Sequence, residues 1–383
     1  MIEVKKVCLF FIIMVFPCFV FANEFNLAPS AKSSIMIEAS TGEILYSNNS
    51  NERLAPASMT KIMSLILIME NIEKGNLNWN DIVVVSKNAS SMGGSQIFLE
   101  TNEMMSVEDL VKGICIASGN DATVALAERI AGTESAFVGL MNKKAKELGL
   151  KNTNFVNSTG LDAENHYSTA SDMAVMAKEL IRHEKILEFS SIYEDYLRKD
   201  TSNSFWLVNT NKLVRYYSYI DGLKTGYTGD AGYCLTATGK KNGMRLITVV
   251  MNEDTIDNRA KDTIAMMDYG FSMYSLDNVL KKDEVLGSIK VNLGKKEYIN
   301  VVSSVPITVL NNNQKDKRKI TYDVLNKEIT APVKVGDEVG KINVYEDGNF
   351  MYSVPLTVSE DVQKANVLVI ILRNLKDIIS FNV

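Results

Sequence analysis

Histidine is almost missing from this chain: His166 and His183 are the only two in 383 residues. Two histidines cannot supply the usual ligand set of a zinc peptidase, so any hydrolytic chemistry would have to run without a metal, and no cofactor is expected. Cysteine is scarce as well. Of four, Cys8 and Cys18 fall within the first 22 residues, which leaves Cys115 and Cys234. That number excludes a small disulfide scaffold and allows either two free thiols or one bridge. The chain also lacks a long basic block, and its net charge is -5, so nothing points to nucleic acid as a partner.

What is present describes an exported globular protein. Hydrophobic residues make up 46% and charged residues 23%, enough to bury about two domain cores. Lys5 and Lys6 precede an apolar run from Val7 to Phe21, and Ala22 offers a small residue before a cleavage point at Asn23. Residues 1–22 therefore read as a secretory signal peptide. A lipoprotein anchor at Cys18 fits less well, because Phe16 and Pro17 stand where small residues are wanted; an uncleaved membrane anchor is the remaining alternative.

The rest of the chain is organised around Ala55–Asn71. Pro56 and Ser58 stand at a helix start, and the following residues Met59, Ile62, Met63, Leu65, Ile66, Leu67, Ile68 and Met69 are apolar on nearly every side. Such a helix belongs in a core. Ser58 and Lys61 are three residues apart, so one turn places a hydroxyl and an amine on the same face. An amine against apolar walls loses some of its preference for charge, which suits it to accept the serine proton, although S-x-x-K also marks ordinary helix starts.

Read in order, Ser34–Glu38 and Glu43–Ser47 form a hairpin, and the central helix stops at Lys74-Gly75. Gly93-Gly94-Ser95 reads as a mobile loop. Ser106 with Asp109 makes a capping box for a helix that breaks at Ser118-Gly119-Asn120; helices over Ala122–Ile130 and Thr133–Leu148 follow, and Thr169 with Asp172 opens another. Ser106 to Leu187 is thus expected to be an all-helical insertion. Strands return from Ser218 onward, through Gly222–Tyr227, then Tyr233–Thr238 and Arg245–Met251, with Asn242-Gly243 as a hairpin turn, and a helix from Asn258 to about Met273 packs back on them. This order predicts an α+β fold: an antiparallel sheet faced by helices, with an all-helical subdomain.

From Asp277 to Val358 short alternating segments separated by Asn-rich and Asp-Gly turns predict a small all-β C-terminal domain. In residues 359–383, Leu368, Ile371, Leu372, Leu375 and Ile379 make a helical stripe opposite Arg373, Lys376 and Asp377. A bilayer span needs roughly 20 apolar residues, which this tail lacks, so an interfacial helix at the membrane surface is expected, with docking on the protein or on a second copy as the alternative.

Three polar motifs follow one another: Ser58-Met59-Thr60-Lys61, Ser118-Gly119-Asn120 and Lys224-Thr225-Gly226. Each is weak alone; in this order, on a helix start, an inter-helix loop and a strand, they match the set used by penicillin-recognising serine enzymes. With Gly160-Leu161-Asp162, Asp221-Gly222, the leader, the trailing β domain and the amphipathic tail, the chain resembles the D-alanyl-D-alanine carboxypeptidases, the low-molecular-mass penicillin-binding proteins, over nearly its whole length. The resemblance implies a β-lactamase/transpeptidase-like fold and a serine peptidase domain over residues 23–276. It implies that Ser58 attacks the carbonyl between the terminal D-alanines of a peptidoglycan stem peptide, with Lys61 as base and Ser118 as proton relay. It further assigns substrate contact to the Asn120 amide, carboxylate recognition to Lys224 and Thr225, room for close approach to Gly226, and the oxyanion to the backbone N–H groups of Ser58 and Tyr227. Arg259 matches a position that helps hold the terminal carboxylate; a surface arginine is the plainer reading.

No E-x-x-L-N lies between Asn120 and Lys224. The glutamate that drives water onto the acyl-enzyme in class A β-lactamases is thus not offered, and β-lactams are expected to acylate the protein and leave slowly. Competing readings are an endopeptidase of peptidoglycan cross-links and an inactive cell-wall binding protein; retention of all six motif side chains speaks against the latter. The resemblance also implies an exported protein at the outer face of the cytoplasmic membrane. Peptidase activity is expected to be unchanged by EDTA or phenanthroline, and loss of turnover on chelation would contradict a metal-free mechanism.

Overall fold

The computed structural model describes residues 26–380, with side chains through Arg373; the expected signal peptide, with Cys8 and Cys18, lies outside the described residues. The chain begins with a hairpin of β1 (Ser33–Glu38) and β2 (Ile44–Asn48), then a 3-10 turn (Ala57–Thr60) that runs directly into α1 (Lys61–Glu73). Four longer helices follow, α2 (Val107–Ala117), α3 (Asn120–Ala131), α4 (Glu134–Glu147) and α5 (Ala170–Leu180), besides short ones at Lys87–Ser90 and Lys185–Ser190. A hairpin of β3 (Glu194–Leu197) and β4 (Phe205–Val208), which the sequence reading did not foresee, leads to β5 (Ile220–Thr228), β6 (Gly232–Lys241), β7 (Met244–Glu253) and the long helix α6 (Ile256–Met273).

The central sheet has the order β2-β1-β7-β6-β5, antiparallel throughout. The alternation of its side chains separates two cores. Ile35, Ile37, Ile247, Val249 and Met251 join the core beneath α1 and α5, while Met36, Leu246, Leu235, Ala237 and Val250 join Met266 and Met267 of α6 on the other side. A period of two is what allows one strand to feed both layers. The α+β expectation therefore holds. One detail differs: the segment 106–187 was expected to be a separate helical insertion, but α5 packs directly on β1 and β7 and belongs to the sheet's own helical layer.

Local signals explain most element ends. The side chains of Ser106, Thr133, Thr169 and Thr255 each accept a backbone N–H in the first turn of the helix that follows. Asn242 and Gly243 both have positive φ, 51° and 82°, as the tight turn between β6 and β7 requires. Helix α3 starts at Asn120 rather than at Ala122, because Ser118 with φ 63° completes the break within one residue.

A second unit begins at β8 (Tyr274–Leu280), which follows α6 without a linker. Its six-stranded sheet has a core of its own around Ile299, Val301, Ile342, Val344 and Leu356. Leu276 and Leu310 pack instead against the α6 side of the first unit. Arg318 grips Glu43 through two hydrogen bonds of 2.6 and 2.8 Å across the junction. The chain ends in α7 (Val367–Ser380), where Val367, Leu368, Ile371 and Leu372 are exposed and Arg373 reaches back to the carbonyls of Gly294 and Lys295 at 2.6 and 2.7 Å. No helix among the described residues is long and apolar enough to cross a membrane.

Candidate active site

Ser58 and Lys61 share a face, but the geometry that joins them is tighter than an α-helix. Ser58 lies in the 3-10 turn, where residues i and i+3 eclipse, and Lys61 Nζ stands 2.9 Å from Ser58 Oγ. The Lys61 side chain is fully buried, with its second hydrogen bond going to the Thr159 carbonyl at 2.8 Å. Burial pushes its pKa well below the ordinary lysine value, and the nearby Lys224 charge pushes the same way against the opposing charge of Asp121.

Lys224, on β5, is 1% exposed and donates to the Thr225 carbonyl at 2.9 Å. Burial lowers its pKa to about 7, with Arg259 contributing in the same direction. Thr225 Oγ1 lies 2.8 Å from Thr210 Oγ1, and the Thr210 N–H donates to the Ile116 carbonyl near the end of α2. This pair of contacts ties the strand bearing Lys224 to the loop bearing Ser118. Gly226 does leave room, though for a different neighbour than expected: a Cβ there would sit 2.8 Å from the Pro56 carbonyl. Its missing side chain lets β5 lie against the Ser58 turn.

On the third side, Ser118 Oγ and Asn120 Oδ1 are buried and have no hydrogen-bond partner, so two polar atoms await one. The Asn120 amide nitrogen donates to the Gly93 carbonyl at 2.7 Å, and its backbone N–H donates to Ser95 at 2.7 Å. The glycine loop expected to be mobile is thereby tied to the motif. Tyr227 is exposed and stacks on Tyr233 at 4.3 Å between ring centroids; the Arg259 guanidinium lies 5.9 Å from the other aromatic, Tyr233. Arg259 is 9% exposed with its Nε unpartnered, so the plainer reading as a surface arginine does not stand. Cys115 and Cys234 are both buried free thiols, each pushed up to about 12 by burial, so neither serves as a nucleophile.

Residues 22–255 match the family described as D-alanyl-D-alanine carboxypeptidase, and residues 274–364 match the C-terminal domain of penicillin-binding protein 5. The chain belongs to the D-alanyl-D-alanine carboxypeptidase family of serine peptidases. It is 49% identical to D-alanyl-D-alanine carboxypeptidase DacF of Bacillus subtilis, over 92% of this chain and 91% of that one. With DacC of Escherichia coli the identity is 35%, over 88% and 86%. The crystal structure of penicillin-binding protein 5 from Haemophilus influenzae superposes with a TM-score of 0.69 at 32% identity, covering 88% of this chain and 98% of that one. Penicillin-binding protein D2 of Listeria monocytogenes, solved in its cefotaxime-bound form, superposes with a TM-score of 0.57 at 32% identity, covering 63% and 97%.

Several residues that shape this carboxypeptidase's site had no signal as motifs. Asp121 takes the N–H groups of Ile97, Leu99 and Ala122 at 2.9 to 3.1 Å and so holds the Gly93 loop against α3. Glu134 accepts from the N–H and hydroxyl of Ser158 at 3.0 and 2.7 Å, and Ser64 Oγ donates to the Ser158 carbonyl at 2.7 Å. These bonds present the next carbonyl, that of Thr159, to Lys61. Thr210 could have been found only through its contact with Thr225, across 15 residues. Asp221, by contrast, serves β5 structurally: Arg245 holds its carboxylate by two bonds of 2.7 Å. Gly160 has φ +87°, and a Cβ there would meet the Ala57 carbonyl oxygen at 1.8 Å. Gly160→Ala is expected to cost about 3 kcal/mol or more of folding stability; an unchanged midpoint in urea denaturation would refute the close approach.

Proposed function

We propose that this chain is an exported serine D-Ala-D-Ala carboxypeptidase that removes the terminal D-alanine from peptidoglycan stem pentapeptides through an acyl-enzyme on Ser58. The observation that carries this reading is the fully buried Lys61 amine, 2.9 Å from the Ser58 hydroxyl and 2.8 Å from a carbonyl. A neutral amine has two N–H groups and one lone pair. Giving one N–H to Thr159 leaves the lone pair free to take the Ser58 proton.

As Ser58 Oγ bonds to the substrate carbonyl carbon, its proton passes to Lys61. The backbone N–H groups of Ser58 and Tyr227 receive the developing oxyanion. When the C–N bond breaks, the Ser118 hydroxyl relays a proton to the departing D-alanine amine. Water then attacks the ester and restores Ser58. Asn120, whose free side-chain oxygen is an acceptor, takes an N–H of the peptide; Lys224, Thr225 and Arg259 face the terminal carboxylate. In this reading residues 23–276 are the peptidase and 277–358 a spacer or interaction module. The exposed apolar side chains of α7 support its resting on the outer face of the cytoplasmic membrane, and β-lactams act as covalent inhibitors.

Mass spectrometry of the purified protein with benzylpenicillin, and then of a pentapeptide digest, tests the reading. Wild type is expected to gain one penicillin mass and to release free D-alanine; Ser58→Ala is expected to do neither. Label that persists in Ser58→Ala places the nucleophile elsewhere, and cleavage of cross-linked dimers without D-alanine release makes the enzyme an endopeptidase.

The lysines also set a pH dependence. Lys224 must be charged to pair with a carboxylate, and in the empty site it gives up its proton near pH 7. Binding above that pH therefore takes up a proton, and KM for the peptide is expected to rise between pH 7 and 9, by up to about tenfold per unit. The same depressed value means that the unfolded chain binds more protons between about 7 and 10.5, so Lys224 penalises folding most below pH 7 and the penalty lifts as pH rises. A KM that is flat from pH 7 to 9 would remove Lys224 from carboxylate recognition.

A further inference from the structure

Thr60 stands between the nucleophile and its base in sequence, and its side chain is fully buried. Its hydroxyl oxygen lies 2.8 Å from Nε2 of His166, one of the two histidines in the chain. The other ring nitrogen, Nδ1, accepts the Val156 N–H at 3.1 Å. A nitrogen that accepts carries no proton, so a neutral ring holds its hydrogen on Nε2 and donates it to Thr60. An imidazolium has no acceptor to offer Val156. The ring is 6% exposed and sits edge-on to Phe155 at 5.9 Å between centroids. Burial carries its pKa down to about 4 against the opposing charge of Asp162, so it stays neutral in the working range.

The two bonds join segments that must stay in register. Val156 begins the stretch that ends in the Thr159 carbonyl, and Thr60 belongs to the turn that carries Ser58. Glu134 and Ser64 fasten the Thr159 stretch to helices α4 and α1, whereas His166 fastens it to the nucleophile's own turn. Lys61 lies between the two. If the Thr159 carbonyl shifts, the amine rotates, and an N–H rather than the lone pair faces Ser58 Oγ. We propose that His166 is a positioning residue for acyl transfer, a neutral bolt between the Ser58 turn and the Thr159 carbonyl that keeps the Lys61 lone pair on the serine hydroxyl. This rests on the assignment of Ser58 and Lys61 above.

The test is the kinetics of acylation by benzylpenicillin, resolved into a saturable first complex and a first-order step. Labelling of wild type at Ser58 establishes the underlying assignment, and its absence would sink that assignment separately. His166→Leu removes donor and acceptor together, and its first-order constant is expected to fall by about 10- to 100-fold while the first complex stays within about threefold. His166→Gln offers an acceptor and a donor at a similar 1,3 separation, and is expected to recover most of the rate. Thr60→Val removes the other end of the bolt. Combined with His166→Leu it is expected to add little, because both break one link. Acylation of His166→Leu at a rate within threefold of wild type overturns the proposal, as does full additivity with Thr60→Val. If His166→Leu does not fold, Thr60→Val decides alone by the same threefold criterion.

Discussion

The structure depends on keeping two lysine side chains out of water a short distance apart. Transfer of an ammonium into an apolar interior is opposed by lost hydration, and a second ammonium nearby adds repulsion. The chain does not relieve this with a direct carboxylate partner: Lys61 meets a hydroxyl and a carbonyl, Lys224 a carbonyl. The acidic group that opposes the shift of Lys61, Asp121, has its oxygens engaged by backbone N–H groups instead. Under those conditions the amine's pKa lies well below the ordinary lysine value. The cation is thereby disfavoured, and the surrounding core is what holds the amine in that state.

The rest of the peptidase unit can be understood as the means of holding that arrangement. Helix α1 is buried along Lys61–Met69, so the amine cannot escape to solvent by a change of rotamer. Strand β5 approaches the serine turn closely because Gly226 has no side chain, and the 158–160 turn approaches it because Gly160 has none. The remaining side of the cleft is a loop held by buried polar atoms, with Asp121 and Asn120 fastening the Gly93–Leu99 segment. Small residues provide proximity and buried hydrogen bonds provide direction, which together give a preorganised site. The C-terminal sheet adds no motif side chain to this cleft, and its contact through Arg318 and Glu43 lies at the β1–β2 end.

Much of this was legible in the primary structure, for identifiable reasons. Helix caps, the Asn-Gly turn and the apolar helix are local effects, and the hairpins and helices they predict are present. The three motifs were legible because their residues carry chemistry at short spacing. The Thr159 carbonyl was not, since a backbone atom has no residue signature. Asp121 hid beside a motif, and the β3–β4 hairpin hid because its strands are four residues each. Arg259 was ambiguous until its burial against Tyr233 was seen. Gly226 was read as room for a close approach, and the neighbour that comes close is the enzyme's own Pro56 carbonyl.

From residue order alone came the family, the α+β class with its trailing β region, and the pairing of Ser58 with Lys61, because each rests on spacings within one turn or on patterning within one element. What the tertiary structure decided is which charges are felt and which carbonyls are near. Contacts such as Thr159 with Lys61 and His166 with Thr60 span about a hundred residues. Proximity over such separations is created by packing, and the environment that lowers an amine's pKa exists only once that packing has closed around it.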